Sequence, residues 1–208
     1  MRLVLASNNA GKLCELRALL AGGVAELVAQ GELGIAEAAE PYASFLENAL
    51  TKARQAAAAS GAAAMADDSG LCVDALQGAP GVISAHYAGA VLAQADREAQ
   101  RRAQDAANND LLLQQLQGVT DRRAHFVCTL VALRRADDPQ PLVATGRWPG
   151  EILRAPRGAA GFGYDPLMFI PALGRSVAEM DAAQKNTHSH RALAMAQMRL
   201  LLRDVWQL

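Results

Sequence analysis

Two adjacent carboxylates, Asp67 and Asp68, follow the apolar stretch Ala64-Met65-Ala66 and precede Ser69-Gly70. A pair of anions beside a core is costly unless a cation or hydrogen-bond donors compensate it. Mg2+ is a fitting cation, because it takes one or two carboxylates together with substrate phosphates. If the backbone stays extended through Asp68, the two side chains point to opposite sides and can divide the work; otherwise the segment is an ordinary Asp-Ser-Gly turn. A second group, Ser7-Asn8-Asn9-Ala10-Gly11-Lys12, lies between a short apolar run and an amphipathic one. Amides at a helix N-terminus attract anions, Ser and Asn add short donors, and Lys12 adds a point charge suited to phosphate. The glycine spacing of a Walker loop is absent, and a helix cap followed by a solvated lysine is the alternative.

A third group is Gly161-Phe162-Gly163-Tyr164-Asp165-Pro166. Glycines permit close approach, while Phe162 and Tyr164 offer flat faces on which a heterocycle can stack, worth about 1–3 kcal/mol per base. The chain has only four Phe, three Tyr and two Trp, so two within one glycine loop is unusual for core filling. A hairpin loop with a buried aromatic is the alternative. The fourth group is Lys185 with Ser189-His190-Arg191. Ser189 is a natural helix N-cap, while Lys185, His190 and Arg191 form a donor cluster suited to an acceptor-rich partner such as a carbonyl-bearing purine. His188 has no role that its type or spacing supports.

These groups need elements to carry them. Residues 3–6 suit a buried strand, and Leu13, Leu16, Leu19 and Leu20 fall on one face of the helix that follows. Ser44-Phe45-Leu46-Glu47 is a capping box that opens a second helix, stopped by Gly61. Short strands are expected at 64–66 and 71–75, with the carboxylate segment separating them and Gly78-Ala79-Pro80-Gly81 making a turn. A long helix covers 96–116, and residues 126–133, apolar on both faces, suit a central strand. Residues 142–147 return as its partner, 158–163 form a glycine-rich loop, 167–170 a short strand and 189–206 a closing helix. Strands and helices intermix, so the fold class is a mixed α/β sheet.

At 208 residues the chain is one domain, or one compact pair of lobes. Its net charge of −1 disfavours wrapping long nucleic acid, and no apolar run reaches a membrane-spanning length. Three scattered cysteines argue against a disulfide framework and, with no apolar leader, point to a reduced cytoplasmic setting.

Taken together, the four groups and the helix that carries Glu47-Asn48-Ala49 and Lys52 resemble the non-canonical purine NTP pyrophosphatase family, the inosine triphosphate pyrophosphatase or HAM1-like proteins. The matching stretches run in family order from end to end. The resemblance implies hydrolysis of ITP, dITP and XTP to the monophosphate and pyrophosphate with Mg2+, which clears deaminated purines from the nucleotide pool. It implies a long mixed β-sheet flanked by helices, two lobes with a central active-site cleft, a single domain over 1–208, and a homodimer whose partner molecule is a small nucleoside triphosphate rather than nucleic acid or membrane. Carried over, Ser7, Asn8, Asn9, Ala10, Gly11, Lys12 and Lys52 look like triphosphate contacts. Asp68 resembles the catalytic carboxylate and metal contact, Glu40 a second metal contact, and Ser69 a substrate contact. Phe162, with Gly163 and Tyr164, would hold the base, Asp165 would close that side, and Lys185, His190 and Arg191 would read the purine edge. His86 stands where the family often has arginine, and Ala192 where it often has glycine.

Overall fold

A computed structural model of the chain describes residues 2–20, 26–92 and 96–208. Among these, a seven-stranded sheet has the order β2-β1-β3-β4-β5-β6-β7. Its strands are β1 (Arg2–Leu5), β2 (Glu26–Ala29), β3 (Ala63–Val73), β4 (Arg123–Leu133), β5 (Leu142–Ile152), β6 (Met168–Ile170) and β7 (Arg175–Ser176). The helices are α1 (Ala10–Leu20), α2 (Phe45–Ser60), α3 (Arg97–Gln115), α4 (Ala182–His188) and α5 (His190–Trp206). β1 pairs in parallel with β2 and β3, whereas β5–β6 and β6–β7 are antiparallel, so the sheet is mixed. None of the described helices is long and apolar enough to cross a membrane.

Two compact units divide the chain. The first runs through Ser69, takes up Val127–Arg147 and closes with Asn186–Leu208; the second holds Gly70–Phe126 and Trp148–Lys185. In the first unit the side-chain alternation of the strands sorts the core into two faces. Leu3, Leu5, Met65, Cys128 and Leu130 pack with Leu16 and Leu20 of α1 and Met195 and Met198 of α5. Val4, Ala64, Ala66, Val131 and Leu133 pack with Ala49, Ala53, Ala56 and Ala57 of α2. Small side chains along that stripe of α2 let it lie close on the strands. The second unit has its own core, in which Leu71, Leu112, Leu116, Trp148, Tyr164 and Leu167 meet.

The capping box is present: Ser44 Oγ accepts from Glu47 N at 3.3 Å and donates to the Glu47 carboxylate at 2.6 Å, and Gly61 closes α2 at φ +64°. One expectation fails. The carboxylate segment does not separate two strands, because β3 runs unbroken through Asp67-Asp68-Ser69-Gly70. Turn-forming residue types are held extended there by partners far away in the chain, described below. β2, β7 and α4 carry no periodic signal long enough to read from sequence.

Candidate active site

Because β3 stays extended, Asp67 and Asp68 face opposite sides of the sheet. Asp67 shares the parity of Met65 and meets α1 and α5; Asp68 shares that of Ala66 and meets α2. Both are buried, and their surroundings differ sharply.

Asp67 is saturated. Its Oδ1 accepts from the Lys12 ammonium and from Ser69 Oγ at 3.1 Å. Its Oδ2 accepts from Arg191 Nε at 3.1 Å and from the Cys128 thiol at 3.1 Å. An ionised carboxylate offers about four acceptor positions, and all are used. Burial alone would raise this carboxyl, but Lys12 and Arg191 outweigh it and hold it well below the usual range. Arg191 is itself buried, with Nη1 on Glu15 and Nη2 on Ser69 Oγ at 3.0 Å.

Asp68 is half satisfied. Its Oδ1 accepts from Lys52 Nζ at 2.8 Å, and Lys52 also approaches Glu40 at 3.3 Å. Its Oδ2 is buried with no donor. Burial pushes the Asp68 carboxyl up to about 6 against the attraction of Lys52, while Asp68 and Glu40 together overcome burial and keep the Lys52 ammonium above its ordinary value. The two shifts agree once the orphaned oxygen is counted: Lys52 has its counter-ions, whereas Asp68 has only one of its oxygens compensated.

Local sequence explains how these groups are aimed. Asn9 caps α1, its Oδ1 accepting from Lys12 N at 3.1 Å, while Ser7 Oγ accepts from Asn9 N at 3.2 Å. Ala10 and Gly11 begin α1, so Lys12 leaves its first turn toward Asp67. Asn8 Oδ1 lies where a Cβ on Gly31 would come to 2.7 Å. Ser189 caps α5 by accepting from Ala192 N at 3.1 Å. A Cβ on Gly146 would collide with the His190 carbonyl oxygen and reach 2.6 Å from Ala194 N, so the glycine lets α5 seat directly on β5. Gly146→Ala is therefore expected to destabilise the protein by about 1–3 kcal/mol through overpacking, read as a fall in Tm with the Asp67–Arg191 pair loosened.

The second unit presents the glycine loop. Asp165 is buried and its Oδ2 accepts from Phe162 N at 3.0 Å and from Lys185 Nζ at 2.7 Å. Lys185, on α4, stands 4.6 Å from the Phe162 ring centroid. Gly161 has φ +80°, and a Cβ there would strike the Asp165 carboxylate. Gly163 donates its N–H to Asp105 Oδ2 at 2.9 Å and accepts from Asn109 Nδ2 at 3.0 Å.

One sequence assignment needs correction and another is narrowed. Tyr164 is no stacking face: its ring is buried in the second unit's core and its hydroxyl donates to the Ser84 carbonyl at 2.9 Å. Arg191 is partly committed within the protein, because Glu15, Asp67 and Ser69 take three of its five N–H groups and leave two for a base edge. His190 is buried at the start of α5 in the first unit, and Lys185 belongs to the second. Sequence reading also missed Glu15 and Cys128. Glu15 lies one turn beyond Lys12 on α1, a spacing that does signal a shared face; nothing local marks Cys128.

Mg2+ fits what the acidic side offers. The donorless Asp68 Oδ2 is a hard oxygen in need of a positive partner, and Glu40 is the carboxylate that shares Lys52 with it. Among the described residues no group of three or more His, Cys, Asp or Glu could hold a metal alone, so two carboxylates would depend on substrate phosphates to complete the shell.

Known proteins are similar to this chain along its whole length. It is 71% identical over 206 residues to a dITP/XTP pyrophosphatase of Methylibium petroleiphilum, covering 99% of each chain. It is 65% identical over 211 residues to one of Leptothrix cholodnii, covering both chains completely. The structure of a HAM1 protein from Coxiella burnetii superposes with a TM-score of 0.87 at 39% identity, covering 99% of this chain and 100% of that one. The model of the Ham1 family matches residues 3–200, and the chain belongs to that family.

Proposed function

We propose that the protein hydrolyses deaminated purine nucleoside triphosphates, ITP, dITP and XTP, to the monophosphate and pyrophosphate. The observation that carries this reading is the contrast within the Asp67-Asp68 pair: one carboxylate fully paired and ionised, the other buried, lifted to about 6 and open on one oxygen. Adjacent carboxylates driven apart by their surroundings mark separate roles, and in the metal-free protein Asp68 is the one of the two left open to a proton or a cation.

In the reaction, the Asp68 carboxylate orients or deprotonates the attacking water, whose oxygen bonds to the α-phosphorus as the α–β bridging bond breaks and pyrophosphate departs. Lys52 fixes Asp68 from the other oxygen. The first-turn amides of α1, the side chains of Ser7, Asn8 and Asn9, and the ammonium groups of Lys12 and Lys52 would receive the triphosphate. Bound Mg2+, held by Asp68 and Glu40, would neutralise phosphate charge. Ser69, tied to both Asp67 and Arg191, would sit beside the substrate as part of that set.

The base falls to Phe162 as a stacking surface, with Gly163 allowing close approach and Lys185 and His190 as donors. Asp165 acts by fixing Phe162 N and Lys185 rather than by touching the base. Hypoxanthine and xanthine carry an acceptor oxygen at position 6, where adenine carries an amino donor. A buried donor left unpaired costs about 1–3 kcal/mol, so kcat/KM for ITP is expected to exceed that for ATP by about 5- to 150-fold. A homodimer in the cytoplasm, working as one catalytic domain, completes the reading. The test is pyrophosphate release with Mg2+ over ITP, dITP, XTP, ATP, GTP and modified pyrimidine triphosphates. Equal rates on ATP and ITP, or release of orthophosphate instead, would refute it.

A further inference from the structure

Helix α3 turns one narrow face toward the glycine loop. Arg101, Asp105 and Asn109 lie one turn apart along it, a spacing that stacks side chains in a row. Asp105 Oδ2 takes the N–H of Gly163 at 2.9 Å, and Asn109 Nδ2 donates to the Gly163 carbonyl at 3.0 Å, so both backbone polar groups of that glycine are held. Arg101 places its guanidinium 5.7 Å from the Phe162 ring centroid. The residue just before Asn109 on α3, Asn108, faces elsewhere and binds the segment from Ser84 to Ala88. Asp105 and Asn109 thus hold the loop backbone and Arg101 stands by its ring, with Glu98 3.8 Å from the guanidinium.

Gly163 has φ +62°, a left-handed conformation with open space where a Cβ would lie. Its backbone is therefore not wedged by packing, and hydrogen bonds must set its path. Within the loop Asp165 fixes Phe162 N and also holds Lys185, whose ammonium stands 4.6 Å from the ring centroid. Asn109 Oδ1 finds no donor among the described residues, so its amide is oriented by the Gly163 carbonyl.

We infer that the Arg101–Asp105–Asn109 row is the positioning element of the base platform, setting the affinity for the nucleobase without acting on the reacting phosphates. The inference rests on the reading of Phe162 as the stacking surface. Asp105 and Asn109 are positioning residues; they reach the base through Gly163 and the ring attached to the preceding residue.

The experiment compares KM for ITP, kcat, and the inhibition constant of inorganic triphosphate, a probe with phosphates and no base. Asp105→Ala is expected to raise KM for ITP about 5- to 30-fold, the effect of one or two kcal/mol. Its kcat should stay within about threefold, with triphosphate inhibition unchanged. Asp105→Asn, which keeps an acceptor for Gly163 N, should restore KM, and Asn109→Ala and Arg101→Ala should shift it in the same direction by less. Phe162→Ala is measured alongside. If it raises KM while Asp105→Ala does not, the inference falls and the platform stands. If Phe162→Ala leaves KM unchanged, the platform reading falls and takes the inference with it. Equal weakening of inorganic triphosphate would mean general loosening and also overturns it. Should Asp105→Ala fail to fold, Asn109→Ala and Arg101→Ala carry the same comparison.

Discussion

Asp68→Asn is expected to lose about 10²–10⁴ in pyrophosphate release, the usual worth of a general base, while binding ITP within a few-fold of the parent. The amide retains an oxygen for Lys52 Nζ, so the geometry on that side is kept. What it loses is the one basic oxygen that has no donor. Turnover by pyrophosphate detection and affinity by calorimetry separate the two effects. An undiminished kcat would remove Asp68 from proton transfer, and loss of binding without loss of kcat would make it a phosphate-site residue.

The same substitution has a pH signature in metal-free protein. Asp68 is lifted from 3.8 to about 6, chiefly by burial. Between those values the folded chain binds more protons than the unfolded one, so stability falls as pH rises through that interval and is level above it. At about 1.4 kcal/mol per pK unit the whole change is about 3 kcal/mol. With chelator present, the difference in unfolding free energy between parent and Asp68→Asn should therefore drift in favour of the variant from pH 4 to 6 and then stop. A difference that is flat across this range contradicts a raised Asp68.

Much of this was legible locally. The opening strand and helix, the Ser44 capping box, the doubly apolar strand at 126–133 and the Ser189 cap are all written within a few residues. The site's residue types were legible as well. Their allotment was not, because it depends on partners remote in sequence. Lys12 lies 55 positions from Asp67, and Arg191 lies 124 positions from it. Those partners keep Asp67-Asp68-Ser69-Gly70 extended, where composition reads as a turn. Once extended, strand parity decides that Asp67 meets α1 and α5 and Asp68 meets α2. The Tyr164 ring failed for a related reason: two aromatics flank Gly163, and only the tertiary core decides which is buried.

Asp67→Asn is expected to act on stability rather than on proton transfer, with a loss of about 3–5 kcal/mol, the cost of breaking a buried ion pair from one side. The anion accepts from Lys12, Ser69, Arg191 and Cys128. An amide at this position turns one acceptor into a donor that faces a cation or a thiol. Glu15 then remains as the acidic partner of the buried Arg191 guanidinium. For a chain of this size the loss corresponds to a drop in Tm of about 10 °C. Cys128→Ala, which deletes a weak thiol donor and leaves the charges in place, should cost far less. The comparison with Asp68→Asn is the sharp part: identical chemistry one position along β3 should cost little stability at neutral pH, because that carboxylate is poorly compensated to begin with. If Asp67→Asn melts within a degree or two of the parent, the pairing seen around Asp67 does not hold the fold, and the division of roles between the two carboxylates loses its physical basis.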